Sequence, residues 1–234
     1  DKRPFYDRPI HHRNFIVPLK LSGNKQKTIY IKQQTSATMQ FILSVFSRDY
    51  FNNYLFNDYF FLMLFYGMLL IMGIYNFVIF LFVRMRGYLY YSLSLFFYIL
   101  FTATGNGLAF QYLWPNYPFF NNYSFGPINT IFVTSSLLFF VHFLQIKKNI
   151  PKLYKLGNFL IFLYLILFIL SLFFRIEIIL ALAGISSILY MIITLVLMLK
   201  KNHRGAKFFF IGIVLMLIST LFFQLMALGL LPYN

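Results

Sequence analysis

The sequence contains no cysteine, one tryptophan and only five acidic residues in 234 positions. Without cysteine there is no disulfide, no thiolate nucleophile and no cysteine metal site. The acids are Asp1, Asp7, Asp49, Asp58 and Glu177, and no two of them share an apolar run. That removes the carboxylate pair on which much acid–base catalysis rests. Charged residues of either sign make up 11% of the chain, against about 25% in a typical soluble domain. A surface this poor in charge does not cover 33 phenylalanines and a 60% hydrophobic composition in water.

Signature motifs for catalysis are missing as well. There is no H-E-x-x-H, Walker loop or G-x-S-x-G. The four histidines form no ligand set: His11 and His12 are adjacent, His203 lies in a basic stretch, and His142 stands alone beside Ser135 and Ser136. No metal, cofactor or enzymatic activity is expected.

What the chain does have is long apolar runs. Six of them, roughly 59–83, 88–113, 127–146, 156–174, 178–199 and 208–231, lack a charged residue in their interior. Each is close to the roughly 20 residues that cross a bilayer as a helix. Backbone groups in hydrocarbon must satisfy their own hydrogen bonds, so these runs are expected to be helices. The fold class is therefore mainly α: a polytopic membrane helix bundle with six transmembrane helices, preceded by a short N-terminal all-β segment.

The charges that exist are nearly all positive, with a net of +15. Their placement argues against nucleic acid as a partner. Nine of the 20 Lys and Arg precede residue 58, and ten more sit in three short connectors: 84–87, 145–155 and 200–207. The intervening connectors, 105–122 and 175–177, carry no net charge. Basic loops stay on the cytosolic side, which puts both ends of the chain outside and makes the lipid bilayer its main partner. An N-terminus outside, six crossings and a first residue Asp1 read as a piece of a longer protein, one helix short of the cell interior.

The outer connector GNGLAFQYLWPNYPFFNN (105–122) is crowded with aromatics. Two readings stand. Tyr112, Trp114 and Tyr117 are interfacial anchors, or the loop is a lid for something outside. Few polar residues fall inside the runs: Asn76, Asn106, His142 and Gln224. Such groups face the bundle interior and bond between helices. Asn106, Gln111, Trp114 and Gln224 all fall near outer helix ends and are the candidate ligand-binding residues of a shallow pocket open to the exterior.

Residues 1–57 follow a different rhythm. Phe15, Val17, Leu19 and Leu21 alternate with other residues, as do Ile29 and Ile31, and Met39, Phe41, Leu43 and Val45. A period of two is the half-buried strand pattern. The expected division is 1–50 as the end of an extracellular β-sandwich, 51–57 as a linker, and 58–234 as the helical bundle lacking its last helix.

Several stretches resemble the bacterial seven-transmembrane receptors with diverse intracellular signalling modules. HHRNFIVPLKL (11–21) and TIYIKQQTSATMQFILSVFS (28–47) are similar to the last strands of that family's extracellular jelly-roll. YGMLLIMGIYNFVIFLFVRMRGYLYYSLSLFFYILF (66–101) resembles its first two helices, GNGLAFQYLWPN (105–116) the exit of the second, and ALGLLPYN (227–234) the approach to the seventh. The resemblance implies a sensor. It would take an extracellular small molecule or carbohydrate and drive a cytosolic output module encoded in the full-length chain. A homodimer is compatible with such coupling, although no heptad seam marks one. The rival reading is a small transporter or channel for an uncharged solute. The nearly charge-free midplane argues against ion coupling.

Overall fold

The computed structural model describes residues 3–19, 28–31, 43–203, 205–212 and 214. Its helices are α1 (Arg48–Val83), α2 (Arg86–Gly105), α3 (Leu108–Tyr112), α4 (Pro118–Phe143), α5 (Ile146–Asn149), α6 (Pro151–Phe173) and α7 (Glu177–Lys200), and residues 205–212 are helical too.

Four of these helices, α1, α4, α6 and α7, are long and apolar enough to cross a membrane. Of the other two expected spans, α2 has the length, at 20 residues. Its Tyr, Ser and Thr residues dilute its hydropathy, and it lies between α1 and α4. The sixth run, 208–231, is helical as far as residue 212, and nearly all of its remainder falls outside the described residues.

Residues 51–57, the expected linker, lie within α1, which starts eleven residues before the expected span. Ser47 caps it, its hydroxyl accepting the Tyr50 N–H at 3.4 Å, and Asp49 sits in the first turn. Both features stabilise a helix N-terminus. Asn52, Asn53, Asn57 and Asp58 read as helix breakers, yet they lie inside a helix already fixed at its cap and continued by the apolar run. With 36 residues at about 1.5 Å each, α1 is roughly 54 Å long. About 24 Å of that exceeds the hydrocarbon thickness. Among the described residues no strand forms in the N-terminal 47. Residues 28–31 and 43–47 lack a ladder partner, and the rest of their alternating runs, 32–42, lies outside the described residues, as do 20–27.

The run 88–113 is broken. Asn106 caps α2, Gly107 takes a left-handed φ of 77°, and α3 begins. The next helix begins earlier than expected because Pro118 occupies its first turn, where a missing N–H costs nothing.

α4 is the central helix and touches α2, α6 and α7. Its contact with α2 is an aromatic seam: Tyr91 on Phe139 at 4.7 Å, Tyr98 on Phe132 at 5.2 Å and Phe101 on Phe125 at 5.1 Å. Toward α6 and α7 the core is aliphatic, with Leu137, Val141, Leu160, Leu167, Leu180 and Leu195 buried. At the basic end, Phe139, Phe140 and Phe143 surround Phe209, and Lys201 Nζ donates to the Asn149 carbonyl, tying α7's end to α5. His142 is exposed there, its ring 4.6 Å from that of Tyr90.

Close helix contacts use glycine. Gly73 in α1 admits the ring of Phe96, and its carbonyl accepts the Ser92 hydroxyl at 2.8 Å. Gly157 in α6 receives the Tyr190 hydroxyl of α7, with Val141 of α4 on the other side. A methyl group on Gly157 would land on that hydroxyl and lie 3.0 Å from the ring carbon bearing it. Overpacking of this kind costs about 1–3 kcal/mol. Gly157→Ala is therefore expected to lower the thermal unfolding midpoint in lipid nanodiscs, and adding Tyr190→Phe to recover part of the loss. Equal midpoints for Gly157→Ala and wild type would show that α6 and α7 do not interlock at this point.

Candidate functional site: an outer clasp

The described residues that carry concentrated polar chemistry lie where the N-terminal segment meets the α2–α3 end of the bundle. A short 3-10 turn, Phe5–Asp7, opens the segment. The Phe5 N–H donates to the Pro115 carbonyl at 2.8 Å, and its ring, 1% exposed, meets Phe110 edge-on at 5.7 Å. The Arg8 guanidinium lies 4.8 Å from the centre of the Phe5 ring and 4.2 Å from that of Phe15. It also donates to the carbonyls of His12 and Arg13, at 2.7 and 3.1 Å, so it braces the segment into a loop.

Arg13 makes the link to the bundle. Nη2 donates to both Asp58 carboxylate oxygens, at 2.8 and 2.7 Å, and Nε donates to Oδ2 at 3.2 Å. Nη1 reaches the Asn106 carbonyl at 3.3 Å. That carbonyl is available because α2 ends there, leaving backbone oxygens without intrahelical partners. The negative end of the helix dipole also favours a cation. Gly107 completes the fit. A Cβ at this position would lie 3.2 Å from the Arg13 carbonyl oxygen, and its φ is one that side chains rarely adopt. The glycine is needed both for the turn and for the close approach of the segment.

His12 lies beneath this pair and is 3% exposed. Its ring meets Tyr59 edge-on at 5.4 Å, and its Nδ1 accepts the Asn14 N–H at 3.0 Å. Nε2 is buried with no hydrogen-bond partner among the described residues. Burial first, then the Arg13 charge and more weakly that of Arg8, push the imidazole below its ordinary value of 6.5. Asp58 pulls the other way without reversing the shift.

Two of the four expected site residues belong to this layer. Asn106 donates from its side chain to the Tyr66 hydroxyl at 3.1 Å. Gln111 is buried and accepts the Tyr59 hydroxyl at 3.1 Å. Both bind α1 to the α2–α3 end. Trp114 sits apart, its Nε1 donating to Asn121 Oδ1 at 3.1 Å and its ring edge-on to Phe120 at 5.0 Å. Gln224 lies outside the described residues. An open shelf of about 470 Å³ runs along the outer part of α1 past Tyr50, Asn53, Tyr54, Asp58 and Phe61. All its described lining comes from this one helix. No group of three His or acidic side chains suited to a metal occurs among the described residues. Sequence reasoning passed over Arg13, Asp58, His12 and Gly107. The one available signal was Asp58, an acid placed where an apolar run begins.

The arrangement defines a class of protein: a bundle with several helices long and apolar enough to cross a membrane and an N-terminal segment pinned to one end of it. The chain belongs to the 7TM diverse intracellular signalling family, whose model matches residues 58–234. Residues 1–47 match the model for 7TMR-DISM extracellular 2. No curated protein and no solved structure matches the chain.

Hydrogen bonds to charged groups are worth about 1.5–3 kcal/mol, and lysine does not reproduce a bidentate arginine fork. Asp58→Asn and Arg13→Lys are each expected to release the segment while the α4–α6–α7 core keeps its stability. Hydrogen exchange of the Phe5 and Asn14 amides, set against that of α4, checks this. Unchanged exchange at Phe5 in both variants would show that the ion pair does not hold the clasp.

Proposed function

We propose that this chain is the sensing and transmission region of a bacterial signal-transduction protein in the inner membrane, with its N-terminus outside the cell. An extracellular small molecule or carbohydrate biases the external domain, the clasp carries that bias into the bundle, and a cytosolic output module of the full-length chain responds. Non-catalytic signal transfer is the role assigned to the described region. The observation that carries the reading is the Arg13–Asp58 pair. Arg13 lies in the stretch matching the family's extracellular domain, and Asp58 is the first residue of the stretch matching its membrane domain. The bond therefore joins the two units where a signal must pass between them. The alternation of basic and charge-poor connectors supports the outward placement.

Two measurements test the reading. The chain lacks cysteine, so single cysteines report sidedness without background. In intact cells an impermeant maleimide is expected to label Asp7→Cys and to spare Lys148→Cys; the reverse pattern overturns the topology. In the full-length protein, Arg13→Ala and Asp58→Ala are each expected to shift the basal output. The swap Arg13→Asp with Asp58→Arg is expected to restore it partly. Output indifferent to all of these variants would rule out transmission through the clasp.

A further inference from the structure

His12 is the one titratable side chain in the clasp that changes charge near neutral pH while held away from water. Its geometry admits a single protonation state. The Asn14 N–H points at Nδ1, so Nδ1 holds a lone pair and the ring proton sits on Nε2. A second proton would have to enter at Nδ1. There it would face the Asn14 N–H donor to donor and break that bond. The added charge would also arise beside two guanidinium groups, Arg8 and Arg13, with only the Asp58 carboxylate to answer it, and Arg13 already occupies both of that carboxylate's oxygens. At 3% exposure, water offers little compensation, and burying a charge without a partner is costly.

We infer that the clasp is a proton-sensitive latch, docked when His12 is neutral and released, residues 4–14 together, when external acidification protonates it. The inference rests on the outward placement proposed above, because only then does the surrounding medium set the proton activity at this site. Release would free Asp58 and the Asn106 carbonyl, the two points at which the external segment holds α1 and the end of α2. The physical step is local and electrostatic, and the element it biases is the docked segment.

The sign follows from linkage. The docked ring binds protons less readily than a released one, so docking is fully favourable above the ordinary value of 6.5. It weakens as pH falls below that value, where the released segment takes up a proton that the docked ring refuses. The other charged or ionisable groups facing the ring are Arg8, Arg13, Asp58 and Tyr59, and histidine alone among these side-chain types ordinarily changes charge between pH 5 and 8. Gln111, which meets the same tyrosine, is neutral. His11 lies nearby, but it is exposed, and its Nε2 lies 3.1 Å from the Tyr6 carbonyl, within the segment itself rather than across the clasp.

The test is hydrogen exchange by mass spectrometry on the full chain in sealed, uniformly oriented vesicles, with external pH stepped between about 5 and 8. Rates are corrected for the intrinsic pH dependence of exchange. In wild type, the peptide covering residues 4–16 is expected to lose protection several-fold as pH falls below 6.5, while α4 and α6 peptides keep theirs. His12→Asn, whose Oδ1 can accept the Asn14 N–H, is expected to hold its protection flat across the range. His11→Asn is expected to respond as wild type does. Flat protection in wild type overturns the latch, as does a His12→Asn response parallel to wild type or loss of the response in His11→Asn. If His12→Asn does not dock at any pH, the titration of the His12 ring followed by NMR in the His11→Asn background decides. A midpoint at or above 6.5 sinks the proposal, and one below it upholds it. Protection that follows the internal rather than the external buffer would refute the outward placement and leave the latch intact.

Discussion

One ion pair fixes how the external segment meets the membrane bundle. Arg13 spends its planar fork on Asp58 and its remaining amino group on the Asn106 carbonyl. Its orientation is set by three acceptors on two separate elements. Asp58 belongs to α1, and Asn106 closes α2, so the guanidinium also ties α1 to the end of α2. A lysine ammonium could neutralise Asp58 but could not span all three acceptors in one plane. The remaining contacts serve this geometry. Phe5 seals the apolar side, Arg8 folds the segment back on itself, and Gly107 removes the side chain that would hold the segment off.

Polar and apolar forces are separated along the bundle. At the outer end, hydrogen bonds connect α1 to α2 and α3 through Tyr59–Gln111 and Tyr66–Asn106. Between α4, α6 and α7 the contacts are mainly aliphatic and aromatic, with one buried hydrogen bond from the Ser187 hydroxyl to that of Tyr164 at 3.3 Å, and the Gly157–Tyr190 interlock closes them. Lipid supplies no hydrophobic drive for helices to associate, so shape complementarity and small residues must hold the inner bundle. At the outer boundary water competes for every hydrogen bond, so the bonds there hold only if aromatic rings cover them. The rings of Phe5, Phe110 and Tyr59 do so at the clasp.

The degree to which this was legible in the sequence follows the range of the forces. The helices of the spans were readable because each apolar run signals its own fate. The alternation of basic and charge-poor connectors was readable because charge placement is a local property. The start of α1 was missed: asparagine is a weak local breaker, and Asn52, Asn53 and Asn57 were overruled by a cap at Ser47 and a long apolar continuation. The break at Gly107 was hidden because Leu108, Ala109 and Phe110 continue the apolar pattern through a change of direction. Asn106 and Gln111 were found as polar exceptions in apolar surroundings, but their partners on α1 are 40 and 52 residues away. The Arg13–Asp58 pair spans 45 residues. It joins a stretch that reads as strand to the first residue of the expected bundle, and neither local pattern names the other as its partner.

α1 is placed to carry a displacement inward. It packs on α2, whereas α4 sits among several neighbours, and 6% of its most apolar window is buried, against 39% for α4. Moving α1 therefore disrupts little packing within the described bundle. The close contact of Gly73 with Ser92 and Phe96 is one point where it is held against α2. Above that point lies Asp58, gripped from outside; below it lies the basic Arg84–Arg86 turn into α2. A continuous helix is stiff over this length because each residue is bonded to the fourth one before it. A displacement at Asp58 would therefore be carried along α1 rather than absorbed by bending. The α4–α6–α7 core, interlocked by Gly157 and Tyr190, is packed on more sides than α1.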